Sequence, residues 1–261
     1  MLGWKIFAHS IGMVWRNLGA AARLSIGPIL LFLAGALIVP LALALYPGAL
    51  SAQEPSIGVL VVFGLGAPAA FALVIAAMVS FAVGWHRHVL LEIPVQGLFT
   101  PGTRSRLLPY LGRTVQIFVI TALVVLTING VIMVLRGLVI GQNPAWDDTT
   151  FSGVWSAAMW LIGTLIGYRL APVLPATALG APIGVATAWR TTRGANVDVV
   201  VMALLSVGLS TVLQLIAQGL TEALPLLGVL WVFVAGWFSA VLTISILTTI
   251  YGHFVEGRDL A

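Results

Sequence analysis

The sequence predicts an all-α fold: a polytopic six-helix transmembrane bundle with an N-terminal amphipathic interfacial helix. Three observations carry that expectation. Hydrophobic residues fill 60% of the 261 positions and charged residues only 8%, against roughly 25% charged in soluble domains. Mean hydropathy is +1.10, and six apolar stretches reach the roughly 18 residues that a membrane-crossing helix needs. In hydrocarbon each backbone amide must pair within its own segment, so such runs are helical. They lack the alternation of barrel strands. Finally, the bases are sorted: ten of the twelve Lys and Arg lie at one set of span boundaries.

Residues 1–26 are expected as the amphipathic segment and 27–261 as the six-span domain. In the first, Trp4, Phe7, Ile11, Val14, Trp15 and Leu18 recur at helical spacing, with Lys5, Arg16 and Arg23 supplying charge. Such a helix lies in the headgroup plane or serves simply as a charged lead-in. Span 1 is expected from Pro28 to Tyr46, with Pro28 tolerated in a first turn. Its charged lead is too long for a signal peptide, so cleavage is not expected. Span 2 runs from Ile57 to Trp85, bent near Gly64, Gly66 and Pro68. Residues 94–113 read as a turn-rich basic loop ending in a short interfacial helix, and span 3 follows from Thr114 to Ile140. Span 4 starts near Phe151 and passes Arg169 into Ala171-Pro172-Val173-Leu174-Pro175. Residues 182–194 suggest another interfacial helix, and Asn196 or Asp198 can cap span 5, Val197 to Leu220. Span 6 runs from Pro225 to Tyr251.

Lys5, Arg16, Arg23, Arg87, Arg104, Arg106, Arg113, Arg190, Arg193 and Arg258 fall in one set of boundary segments, and Glu54, Asp147, Asp148 and Glu222 in the other. Bases in short loops stay cytoplasmic. The expectation is a multi-pass protein of the bacterial inner (cytoplasmic) membrane with both termini cytoplasmic. Trp4, Trp15, Trp85 and Trp189 mark the inner boundary and Trp146 the outer, as an aromatic belt does. The net charge of +4 then points to anionic membrane lipid, not nucleic acid. Other membrane proteins are the remaining partner class.

Arg169 is the most informative single residue. It lies roughly 24 Å beyond the outer end of span 4 at 1.5 Å per residue, below the bilayer midplane. Pro172 and Pro175 follow, removing backbone donors and breaking the helix beside the charge. A guanidinium there can hold a lipid phosphate or a carboxylate. The plainer alternative is that it snorkels to the inner interface or pairs with Glu92 or Asp198. Arg136, about one turn from the outer end of span 3, snorkels outward or meets an outer acid.

Ser206, Ser210, Gln214 and Gln218 recur every four residues along span 5 and form one polar stripe. Amides facing lipid are costly, so the stripe is expected to face the bundle interior, with Asn129, Ser239 and Thr243 as partners. It serves either as interhelical hydrogen bonding or as a polar path for a solute. Gly163 and Gly167, four apart in span 4, allow close helix approach. The four histidines, His9, His86, His88 and His253, sit near the inner boundary, where His86 and His88 cannot share a helical face. No metal, cofactor or catalytic motif is legible, and there is no cysteine. The candidate ligand-binding set is therefore Arg169, Pro172, Pro175, Gln214 and Gln218. Arg87, Arg104, Arg106, Arg190 and Arg193 form an interfacial basic set.

Three motifs add a family likeness: Trp85-His86-Arg87-His88-Val89-Leu90-Leu91 closing span 2, Arg169 followed by Leu174-Pro175-Ala176, and Ala188-Trp189-Arg190-Thr191-Thr192-Arg193-Gly194. In this order, among six spans, they resemble the bacterial YciC-like membrane proteins and the related membrane domain fused to some glycerophosphodiester phosphodiesterases. The resemblance implies an inner-membrane six-helix bundle of poorly defined role. The phosphodiesterase barrel has no counterpart, so no active site transfers. The functional expectation is a non-enzymatic accessory or scaffold protein with a capacity for lipid. The alternative is a small-solute or lipid transporter built on Arg169 and the proline-broken helix.

Overall fold

The computed structural model describes residues 2–50, 57–95, 100–139 and 148–260, and all regular structure among them is helical. In chain order the helices are α1 (Leu2–Arg16), α2 (Leu18–Leu45), α3 (Ile57–Val59), α4 (Ala67–Leu91), α5 (Arg104–Val139), α6 (Asp148–Leu170), α7 (Val173–Leu179), α8 (Val185–Thr191), α9 (Asn196–Ala223) and α10 (Pro225–Phe254). Six helical segments are long and apolar enough to cross a membrane: Leu18–Leu45, Ile57–Leu91, Arg104–Leu138, Ser152–Leu179, Asn196–Ala223 and Pro225–Phe254. Large apolar side chains such as Phe71, Phe118, Leu123 and Phe233 are exposed in mid-span, which is stable only against lipid. The chain is an all-α, multi-pass integral membrane protein.

It divides into two compact units, one of Asn17–Leu111 and one of Met1–Arg16 with Gly112–Ala261. In the larger unit α1 packs on α9 and α10. Its inward face is Gly3, Ile6, Phe7, Ser10, Met13 and Val14, a three-and-four spacing that returns to one side of a helix. Ile6 and Phe7 join Val199, Met202, Leu242, Ile246 and Ile250 in one apolar cluster. Trp4 and Trp15 point outward. Two polar contacts fix the docking: Ser10 Oγ lies 2.9 Å from Thr249 Oγ1, and the Gly3 amide donates to Asp198 Oδ1 at 2.8 Å. A Cβ on residue 3 would fall on the Asp198 carbonyl oxygen, so only glycine permits this approach.

In the smaller unit α2 pairs antiparallel with α4. Gly35 faces Ala70 and Val74, while Leu24 meets Gly84 at the opposite end. Between α3 and α4 the stretch Leu60–Gly66 is π-helical. This wide turn lies at the place where the sequence predicts a bend from Gly64, Gly66 and Pro68.

Several local expectations are corrected. Pro28 is not in a first turn: α2 begins at Leu18 and carries Pro28 and Pro40 inside it. Residues 104–113 form no separate interfacial helix, because α5 runs without interruption from Arg104 through Pro109 into span 3. Trp85 is fully buried and stacks near Phe81, so it is no belt residue. His86 is also buried, within hydrogen-bond reach of Tyr110 Oη at 3.2 Å. Neither Asn196 nor Asp198 caps span 5, whose capping position is Ala195 with no side-chain bond. Within residues 182–194, where an interfacial helix is expected, the chain forms the short helix α8. Glu54, Trp146 and Asp147 lie outside the described residues.

Candidate functional site: a buried arginine and a hydroxyl-lined groove

Span 4 breaks where its sequence demands. Pro172 has no amide to give, and α6 ends at Leu170 before α7 starts at Val173. The break leaves the Arg169 carbonyl without its helical donor. Thr192 Oγ1, just beyond α8, sits 3.1 Å from that carbonyl and 2.9 Å from the Ala188 carbonyl. Its one proton serves either in turn.

The Arg169 side chain is 7% exposed, and its guanidinium is engaged by the protein. Nε donates to Thr192 Oγ1 at 3.4 Å, Nη1 to Asn196 Oδ1 at 3.2 Å and Nη2 to the Trp189 carbonyl at 2.8 Å. The guanidinium carbon lies 3.8 Å from the Trp189 ring centroid, a cation–π contact. Asp198, a partner expected from sequence, receives the Gly3 amide instead. Charge here is held by a π-face and neutral oxygens. Pro172 and Pro175 are buried, so neither offers a surface to a ligand.

The span 5 stripe divides. Ser206 and Ser210 are half-buried, whereas Gln214 and Gln218 are exposed, contrary to the interior placement expected for them. Gln214 is eighteen residues along α9 from Asn196, roughly 27 Å at 1.5 Å per residue. The five-residue ligand set read from sequence is therefore not one site. Asn129 meets span 4 rather than span 5, accepting from Trp155 Nε1 at 2.7 Å.

What assembles around Ser206 and Ser210 is a groove of about 440 Å³ between α6, α9 and α10, with Ile117 of α5 at its side. Five hydroxyls line it: Thr164 and Tyr168 from α6, Ser206 and Ser210 from α9, and Thr243 from α10. Trp160, Val207 and Leu247 complete apolar walls, and among the described residues no charged one lines the groove. Thr164, Ser206 and Thr243 each donate back along their own helix, to the carbonyls of Trp160, Met202 and Ser239 at 2.8–2.9 Å. Their protons are thereby occupied and their lone pairs face the groove. Tyr168 Oη reaches Ser206 Oγ at 3.5 Å across the α6–α9 seam. The groove is a weakly polar, uncharged acceptor surface of a size common for ligand sites.

Sequence reasoning missed Trp160, Thr164 and Tyr168. A signal existed, since the three recur every four residues on one face of span 4 as the serines do on span 5. Of the basic set, Arg190 and Arg193 are exposed on and after α8 in the larger unit, and Arg87, Arg104 and Arg106 belong to the smaller one. His88 Nδ1 lies 2.8 Å from the Ile93 carbonyl, and among the described residues no cluster of potential metal ligands occurs. Comparison with known proteins finds no family model, curated protein or solved structure that matches this chain.

Proposed function

We propose that this protein is a non-enzymatic accessory component of the bacterial inner membrane that retains a neutral, hydroxyl-bearing amphiphile between α6, α9 and α10. The observation that carries the reading is the groove's chemistry. Five hydroxyls and no charge suit a ligand that donates a few hydrogen bonds and buries an apolar body against Trp160 and Val207. An ionised headgroup would meet no counter-charge there. Both termini are read as cytoplasmic from the one-sided bases, and membership of the YciC-like proteins is part of the same reading.

The experiment is lipid analysis of protein extracted in a mild polymer, wild type against Ser210→Trp, which fills the groove. One neutral amphiphile is expected in near-stoichiometric amount from the wild type and lost from the variant. Identical extracts would remove the proposal.

A second reading, movement of lipid across the bilayer, draws on one further fact. Ala171, in the span 4 break, and Leu174, just after it, both line the groove, so the broken segment adjoins the ligand wall. Reconstituted protein that fails to accelerate exchange of a labelled neutral lipid between leaflets would exclude this reading and leave the first standing.

A further inference from the structure

The smaller unit carries a second cluster that the groove does not explain. At its centre is the turn entering α5. Gly102 takes φ +76°, a conformation glycine adopts without strain, and a Cβ there would lie 2.8 Å from Arg87 Nη2. Arg87 reaches across from α4 to donate through Nε to the Pro101 carbonyl at 3.3 Å. Arg106, in the first turn of α5, is near enough for its charge to repel that of Arg87. Glu92 is the one acid among the unit's described residues, so positive charge dominates this end of the unit.

Two guanidiniums therefore converge where a 36-residue helix presents its opening amides. The Arg106 amide turns back to the Thr103 carbonyl at 2.9 Å, and the first amides of any helix have no acceptor within it. A helix start alone would signify little. Here it coincides with buried polar atoms that have no partner among the described residues: Thr100 Oγ1, Thr103 Oγ1 and Arg106 Nε. Thr100 and Thr103 are 3% and 2% exposed. Thr103 occupies the position whose side chain ordinarily caps the helix, yet its hydroxyl finds no partner among the described residues. Thr100 Oγ1 abuts α4 at Gly84, 3.2 Å from where a Cβ would stand, one turn before Arg87. Unmet buried polar groups are rare in folded proteins, and a bound water or ion is one thing that satisfies them.

We propose that this junction, formed by Arg87, Arg106, Thr103 and the amino-terminal amides of α5, binds a phosphate group. The recognition chemistry is a bidentate guanidinium fork with backbone amides at a helix start. The phosphate comes either from a phospholipid headgroup or from free phosphate, and the ligand differs in charge from that of the groove.

The test is native mass spectrometry of the full chain in non-ionic detergent, titrated with a short-chain phosphatidylglycerol or with inorganic phosphate. Arg87→Gln with Arg106→Gln is expected to weaken binding at least tenfold. Gly102→Ala keeps both charges but displaces Arg87, and is expected to weaken it about threefold or more. Arg113→Gln, whose side chain bonds Gln116 on its own helix, is expected to change nothing. Competition by millimolar phosphate assigns free phosphate as the source, and its absence assigns the headgroup. Wild-type affinity for both probes in the double and Gly102 variants would overturn the proposal. If the double variant does not fold, Arg106→Gln alone supplies the same comparison. Retention of the groove amphiphile is scored separately, so either proposal can fail without the other.

Discussion

Replacing Arg169 with methionine should move two free energies in opposite directions. An arginine within a span costs about 2.5–3.5 kcal/mol on insertion scales, so an isolated span 4 segment with the Arg169→Met change should insert better by about that amount. The folded protein should lose stability. In it the guanidinium stacks 3.8 Å from the Trp189 ring, worth about 0.5–2 kcal/mol. It also satisfies the Trp189 carbonyl and Asn196; leaving such partners unmet costs about 1–3 kcal/mol where they are buried. Asn196 is exposed at one edge, so the lower half of that range applies to it. Together these contributions make the expected loss about 2.5–7 kcal/mol. Insertion is read by glycosylation mapping of the segment in a host protein, and stability by unfolding of the intact protein in mixed micelles. Arg169→Lys should recover less than half of the loss, because an ammonium cannot both stack and fork. An Arg169→Met protein as stable as wild type would show that the arginine does not hold α6, α8 and α9 together.

Gly3→Ala should destabilise the protein by about 1–3 kcal/mol through overpacking despite alanine's better helix propensity, because the added carbon meets backbone at Asp198. Thermal unfolding of the two proteins measures it, and an unchanged midpoint would argue against the docking of α1 on α9. The absence of native cysteine makes single-cysteine labelling clean. In intact cells Glu222→Cys should react with a membrane-impermeant maleimide and Asp259→Cys should not, and the reverse pattern would invert the topology. Trp155→Phe should cost about 0.5–1.5 kcal/mol, the net worth of an ordinary hydrogen bond, by removing the donor to Asn129. A smaller loss in the same unfolding assay would mean that contact is not formed.

The fold class was legible because the bilayer imposes it. Only helices satisfy their own amides in hydrocarbon, so six long apolar runs leave little choice of element. The break beside Arg169 was legible for an equally local reason, the missing amide of Pro172. Side-chain partners were not legible, because they depend on which faces meet. Arg169 lay within reach of acids on paper, yet α8 brings a tryptophan face and neutral oxygens to it instead. Trp85 looked like a belt residue because it adjoins charge in sequence, but α4 continues to Leu91 and carries it inside. The serine half of the span 5 stripe turned inward and the glutamine half did not. A four-residue repeat drifts by about 40° per step, enough to carry later members off the face that begins the stripe. The groove needed three helices at once, and only its α9 wall was identified as a stripe from a single span.

All that is proposed for the groove depends on the space between α6, α9 and α10 selecting an uncharged amphiphile rather than admitting bulk lipid. Photoreactive benzoyl-phenylalanine placed at Trp160, on the groove wall, and at Phe233, exposed on α10, reports on this in native membranes. One neutral hydroxyl-bearing adduct is expected at position 160 and ordinary phospholipid adducts at position 233. The same phospholipid mixture at both positions would mean that the groove selects nothing.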